Sequence, residues 1–151
     1  MRNLLISLIL VLCFCGTAMG AGPDDVMGRW LNQEQDAMIE ISRCGNLYCG
    51  KIIWLREPNY PSSDEKGMAG KTKVDRENPA SPLRARPILG LEILRNFRYA
   101  GDNKWEDGSI YDPKNGKTYS CKMTLAGDKL RIRGYIGISL IGRTTVWSRA
   151  R

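Results

Sequence analysis

The chain contains no histidine, only two phenylalanines, and no apolar run longer than the stretch from Leu4 to Cys15. Without an imidazole no Ser-His-Asp or Cys-His arrangement forms, and no His-ligated zinc or haem site is built. The apolar run falls short of the roughly 20 residues a spanning helix needs, and no other segment approaches that length. Acidic residues are also in deficit: 16 Asp and Glu face 23 Lys and Arg, for a formal charge of +7. What is present is ordinary for a globular protein. The 151 residues make one domain, and 42% hydrophobic with 26% charged residues is too apolar for a disordered chain.

The first twenty residues read as an export signal. Arg2 supplies the positive start, Leu4–Cys15 the apolar core, and Ala18 and Gly20 the small residues of a cleavage site after Gly20. An uncleaved anchor is the alternative. A lipoprotein site at Cys13 or Cys15 is disfavoured by the bulky Leu12 and Phe14 before them. The expected product, residues 21–151, is periplasmic or secreted.

Export changes the cysteine arithmetic. Cys13 and Cys15 leave with the leader, so Cys44, Cys49 and Cys121 remain. Cys44 and Cys49 flank a turn between two β-type runs, on the same face of a hairpin, and an oxidising compartment favours a bridge between them over two free thiols. Three cysteines with no histidine do not complete a usual structural zinc site, so no metal or other cofactor is expected. Cys121 alternates with Tyr119, Met123 and Leu125 and reads as a small core residue.

The remaining pattern is β throughout. Strands are expected at Gly28–Glu34, Ala37–Cys44, Leu47–Leu55, Leu91–Tyr99, Lys104–Asp112, Lys117–Leu125, Lys129–Ile136 and Arg143–Ala150. Gly45-Asn46, Gly101-Asp102-Asn103, Asp112-Pro113-Lys114-Asn115-Gly116 and Gly127-Asp128 supply hairpin turns. The expected fold is all-β, an up-and-down eight-stranded barrel whose closure removes the edge strands. Residues 56–87 interrupt the rhythm with Pro58, Pro61, Pro79, Pro82 and Pro87, which rule out a central strand there. Within this long irregular loop Asp64–Lys71 is expected to be mobile and Asp75–Pro87 fixed by its turns.

Gly28-Arg29-Trp30 at the start of the first strand resembles the Gly-x-Trp signature of lipocalins. That likeness implies an indole closing one end of the barrel beneath a basic residue of the last strand, here Arg149 or, failing that, Arg143. A wider resemblance covers Val26 to Arg149. It is carried by Gly28-Arg29-Trp30, Cys49-Gly50-Lys51-Ile52-Ile53-Trp54-Leu55, Asp75 with Asn78-Pro79, Arg86-Pro87-Ile88-Leu89-Gly90-Leu91, Trp105–Pro113, Asn115–Tyr119, Arg133–Ser139, Gly142-Arg143-Thr144 and Trp147-Ser148-Arg149. On these stretches the chain resembles the bacterial family named domain of unknown function 2147. The resemblance implies an exported lipocalin-like barrel and carries no catalytic residue with it.

A barrel interior is the default pocket. Trp54, Phe97, Trp105, Tyr111, Tyr119 and Met123 are available to line it, although each also suits plain core packing. Asp75, Asn78, Arg84 and Arg86 on the long loop are placed to rim a mouth, or else to bond to their own backbone. Asp107, beside Gly108, is either a buried polar partner inside the barrel or part of a bulge. The favoured function is binding of a small apolar or amphipathic molecule. A protein-interaction module of the cell envelope, inhibitor or chaperone-like, comes second, and an enzyme using carboxylates alone comes last. Nucleic acid is not an expected partner of an exported protein; the basic clusters read first as solvated strand faces, and of partners an anionic lipid, a glycan or a fatty-acid carboxylate suits them better.

Overall fold

The computed structural model describes residues 20–150, so the leader expected over residues 1–20 lies outside them but for Gly20. Eight strands run in chain order: β1 (Gly28–Leu31), β2 (Ala37–Cys44), β3 (Leu47–Leu55), β4 (Glu92–Gly101), β5 (Lys104–Asp112), β6 (Lys117–Ala126), β7 (Lys129–Tyr135) and β8 (Gly142–Arg149). Each pairs antiparallel with the next, and β8 returns to β1 through Trp30 opposite Arg149 and Leu31 opposite Ser148, closing the barrel. The up-and-down barrel expected from the sequence is the fold observed.

Local chemistry explains where the strands stop. β1 ends at Leu31, short of the expected Glu34, because the Asn32 side chain turns the chain: its Oδ1 accepts the backbone N–H groups of Asp36 and Ala37 at 2.9 and 3.0 Å. Asp102 and Asn103 take positive φ, the backbone that a tight hairpin between β4 and β5 requires. Cys44 and Cys49 are joined by a disulfide across the β2–β3 hairpin.

Paired inward residues fill the tube. Trp30, Leu94, Phe97, Trp105, Cys121 and Leu130 have no exposed surface, and Ile39, Ile41, Met123 and Ile132 have almost none. Burying a large apolar side chain this completely contributes roughly 1.5–3 kcal/mol. Eight strands leave an interior just wide enough for such a filling. Gly108 makes it fit: a Cβ there would lie 2.5 Å from the Phe97 ring, so Phe97 rests directly on the β5 backbone.

The long β3–β4 connection is folded rather than loose. Bridges pair Asn59 with Thr72 and Val74 with Pro87. Asp64–Lys71, expected to be mobile, is held in turns. Asp64 Oδ2 accepts the N–H groups of Lys66 and Met68, and its Oδ1 accepts from Arg76 at 2.7 Å. Arg76 in turn stacks 4.1 Å above the Tyr60 ring. Asp75–Pro87 is fixed as expected, with a single 3-10 turn at Ser81–Leu83.

Candidate functional site

The two ends of the barrel differ. The base is the end where β1 begins. There the Trp30 indole N–H donates to Val26 O at 2.8 Å, and the Trp105 indole N–H to Pro23 O at 3.1 Å, so the segment before β1 straps across the opening. Arg149 lies over the Trp30 ring at 4.2 Å and donates to the backbone oxygens of Met27 and Asp25 at 2.9 and 2.5 Å. A guanidinium on an indole face gains cation–π energy, and here its remaining donors are satisfied as well. The pair expected to close the barrel, Trp30 with Arg149, is in place; Arg143 lies at the opposite end.

Strand register identifies the inward face towards that opposite end. Leu94 pairs with Ile110, Ile110 with Tyr119, Cys121 with Gly134, Ile132 with Thr145, and Gly134 with Arg143. Directly opposed residues share a face, so all of these belong to the interior set. Leu94, Cys121 and Ile132 are buried, yet Ile110, Tyr119, Gly134 and Thr145 are half-buried and Arg143 is exposed. The interior thus opens towards the ends of β5, β7 and the start of β8. At Gly134 a Cβ would lie 3.5 Å from Ile110 Cγ2 and 3.7 Å from Tyr119 Cβ, so the absent side chain leaves a notch between two apolar walls. This is a shallow mouth with an apolar floor, a phenol on its wall and a guanidinium at its rim.

The floor is chemically quiet. Burial pushes the Cys121 thiol up to about 12, far from the thiolate a nucleophile needs. Among the described residues the buried polar ones are Asp75 and Asn78, and both lie on the β3–β4 connection.

Those two form a second, separate cluster. Asp75 accepts from the Tyr111 phenol at 2.5 Å, from Asn78 Nδ2 at 2.8 Å and from Arg86 Nε at 2.9 Å. Arg86 Nη2 approaches the same carboxylate at 2.8 Å, and the Asp75 N–H bonds to Arg86 O. Arg84 Nε donates to Asn78 O at 2.7 Å. Burial, then the bond to Asp75, raises the Tyr111 phenol above its ordinary value. Tyr111 follows the inward Ile110 and so belongs to the outer face of β5. The cluster therefore latches the connection to the barrel wall from outside. Gly116, in the β5–β6 turn, completes the seat: its φ is +71°, and a Cβ there would fall 1.9 Å from Glu77 O.

The sequence candidates thus separate into four places. Phe97, Trp105 and Met123 are filling. Asp75, Asn78, Arg84, Arg86 and Tyr111 form the latch. Tyr119 lines the mouth. Trp54 and Asp107 are outside: Trp54 borders an open depression with Arg29, Leu31, Met38, Glu40 and Ile53, and Asp107 takes φ 62° at a bulge and pairs with Arg98 at 2.5 Å. Of the two readings of Asp107, the bulge is the correct one. Ile110, Gly134, Thr145 and Arg143 also belong to the lining, and no pattern in the sequence marks them as such until a register sets Ile110 opposite Tyr119, Gly134 opposite Cys121 and Arg143, and Thr145 opposite Ile132.

The family model for an uncharacterized protein conserved in bacteria, DUF2147, matches residues 28–149, the whole of the barrel. The chain belongs to this family. No curated protein matches it. Among solved structures it is similar to protein HP1028 from the human pathogen Helicobacter pylori, which belongs to the lipocalin family. The two share 22% identity, over 88% of this chain and 85% of that one, with a TM-score of 0.68. At that identity the likeness establishes the fold of this DUF2147 protein: a lipocalin-like barrel.

Proposed function

We propose that this DUF2147 protein is an exported, non-enzymatic binding protein that takes a small apolar or amphipathic molecule in the shallow mouth. The observation that supports this reading is the gradient of exposure along the inward face, from sealed at Trp30 to half-open at Ile110, Tyr119 and Gly134. The apolar part of the ligand rests on the floor at Cys121 and Ile132. Its polar end meets the Tyr119 phenol and Arg143, which carries no ion pair to a carboxylate among the described residues and so suits a carboxylate or phosphate head. Because the deeper barrel is filled, only a short chain or a chain end is accommodated.

Gly134→Leu tests the site. The notch accepts a Cβ at ordinary contact distance, so the variant folds while its added atoms occupy the mouth. Wild type should gain thermal stability from medium-chain fatty acids or lysophospholipids, by about 2.7 kcal/mol at a hundredfold excess over Kd. Gly134→Leu should lose at least tenfold in affinity. No stabilisation of wild type by any such amphiphile, or undiminished binding by Gly134→Leu, would sink the reading.

A further inference from the structure

We propose that the β7–β8 loop is a docking tip that seats this protein on an anionic lipid surface. Ile136, Ile138, Leu140 and Ile141 are 71%, 60%, 84% and 72% exposed, an aliphatic cluster on one short loop beside the mouth. The other exposed aliphatic side chains, Leu83, Leu89 and Val146, are scattered singly and reach only 41%, 49% and 38%. The loop is held in this presentation: Arg133 Nε donates to Ser139 O at 2.7 Å and its Nη2 to Leu140 O at 3.1 Å, and the Ile141 N–H closes a turn on Ile138 O. An exposed apolar cluster of this kind marks an interaction surface.

The charge around the loop selects the occupant. Lys122 and Arg133 face each other across β6 and β7, and Arg143 is the second residue of the exit strand. Among the described residues none of these, nor Arg131, is ion-paired with a carboxylate, and downstream of Asp128 the sequence contains no Asp or Glu at all. Of the acids elsewhere on this side, Asp36, Glu57, Asp64 and Glu77 are already paired with Lys114, Lys73, Arg76 and Lys66, whereas Glu34, Glu65 and Asp112 belong to the other connections at this end and form no ion pair among the described residues. A convex aliphatic tip inside a positive collar matches an anionic interface, where the side chains enter the acyl boundary and the collar meets the headgroups. A second copy of the chain fits poorly, because a twofold contact through this loop would bring the two uncompensated collars together. The loop's unpaired backbone groups limit insertion to shallow depth.

Co-sedimentation with vesicles tests this independently of any ligand in the mouth. Wild type should bind vesicles of phosphatidylglycerol mixed with phosphatidylcholine, and lose that binding on phosphatidylcholine alone and at high salt. The double variant Ile138→Asp, Leu140→Asp shares the wild-type N-terminus and replaces only exposed side chains, so it folds; its partitioning should fall more than about tenfold. Lys122→Gln should cost roughly fivefold. Equal binding by the double variant, or equal binding to uncharged vesicles, overturns the proposal. So does concentration-dependent self-association, abolished by the double variant, in a protein that ignores vesicles.

Discussion

The base and the mouth of this barrel are secured by different kinds of interaction. At the base an indole with no exposed surface, a guanidinium stacked on it and bonds to backbone carbonyls form the closure. None of those carbonyls titrates. On the mouth side the β3–β4 connection is fastened to the barrel by Asp75 on Tyr111 and braced within itself by Asp75 on Asn78 and Arg86, Asp64 on Arg76 and Glu77 on Lys66. Apolar closure is non-directional and permanent under all ordinary conditions, whereas an ionic latch depends on each partner keeping its charge. The difference places rigidity at one end and adjustability at the other, next to the opening and the apolar loop.

Trp30→Ala strikes the rigid end and should have the largest effect. It removes a fully buried indole and leaves Arg149 above a void, at a cost of about 3–5 kcal/mol. Urea unfolding should show the whole protein destabilised in one transition. A loss below about 1 kcal/mol would mean that the base is not the keystone of the barrel.

Asp75→Ala strikes the adjustable end. It leaves the Tyr111 phenol, Asn78 and Arg86 without their common acceptor in a site with no water access to Asp75. The expected loss is about 2–4 kcal/mol, since Arg86 remains partly exposed. Unlike the change at Trp30, it should be local: amide exchange should accelerate over residues 56–91 while β5–β8 keep their protection. Uniform acceleration across the barrel would erase the distinction between the two ends.

Much of this arrangement was readable from residue order. Period-two alternation in Ala37–Cys44 and Lys117–Leu125, with Asp102-Asn103 and Asp112–Gly116 as turns, leads directly to a meander, and the resemblance of Gly28-Arg29-Trp30 to the lipocalin signature implies its closure by Arg149. The site was less legible, because alternation shows that two faces exist without showing how far each is covered. Phe97 and Tyr119 both read as lining residues; only the stacking of Phe97 on Gly108 distinguishes filling from wall. Asp75 and Tyr111 are far apart in sequence, and their meeting depends on the path of a connection with no period to read. Arg143 and Gly134 lie in stretches that carry the family resemblance, but their place on the inward wall emerges only when β7 and β8 are paired.

Acidification should separate the two ends most gently. The hydrogen bond from Arg76, above all, holds Asp64 below the usual carboxylate range, and the bond from Lys66 does the same for Glu77. A carboxylate whose value is lowered by folding contributes stability above its unfolded value, near pH 4, and that contribution disappears as the pH falls through the folded value. These ties within the connection should therefore be intact at neutral pH and weaken below about pH 4. Arg76 is partly exposed and Lys66 largely so, so solvent screens both pairs and the effect should be smaller than that of either substitution. At the base, Asp24 is also held low, by Tyr48 first, but it makes no hydrogen bond to Trp30 or Arg149. Limited proteolysis between neutral pH and about pH 3, using an acid-active protease at the lower end, should find new cleavage within residues 56–91 while the tryptophan fluorescence of the sealed base stays constant. Arg76→Ala should expose the same cleavage sites at neutral pH, and loss of the fluorescence signal before the cleavage appears would reverse the order of the two ends.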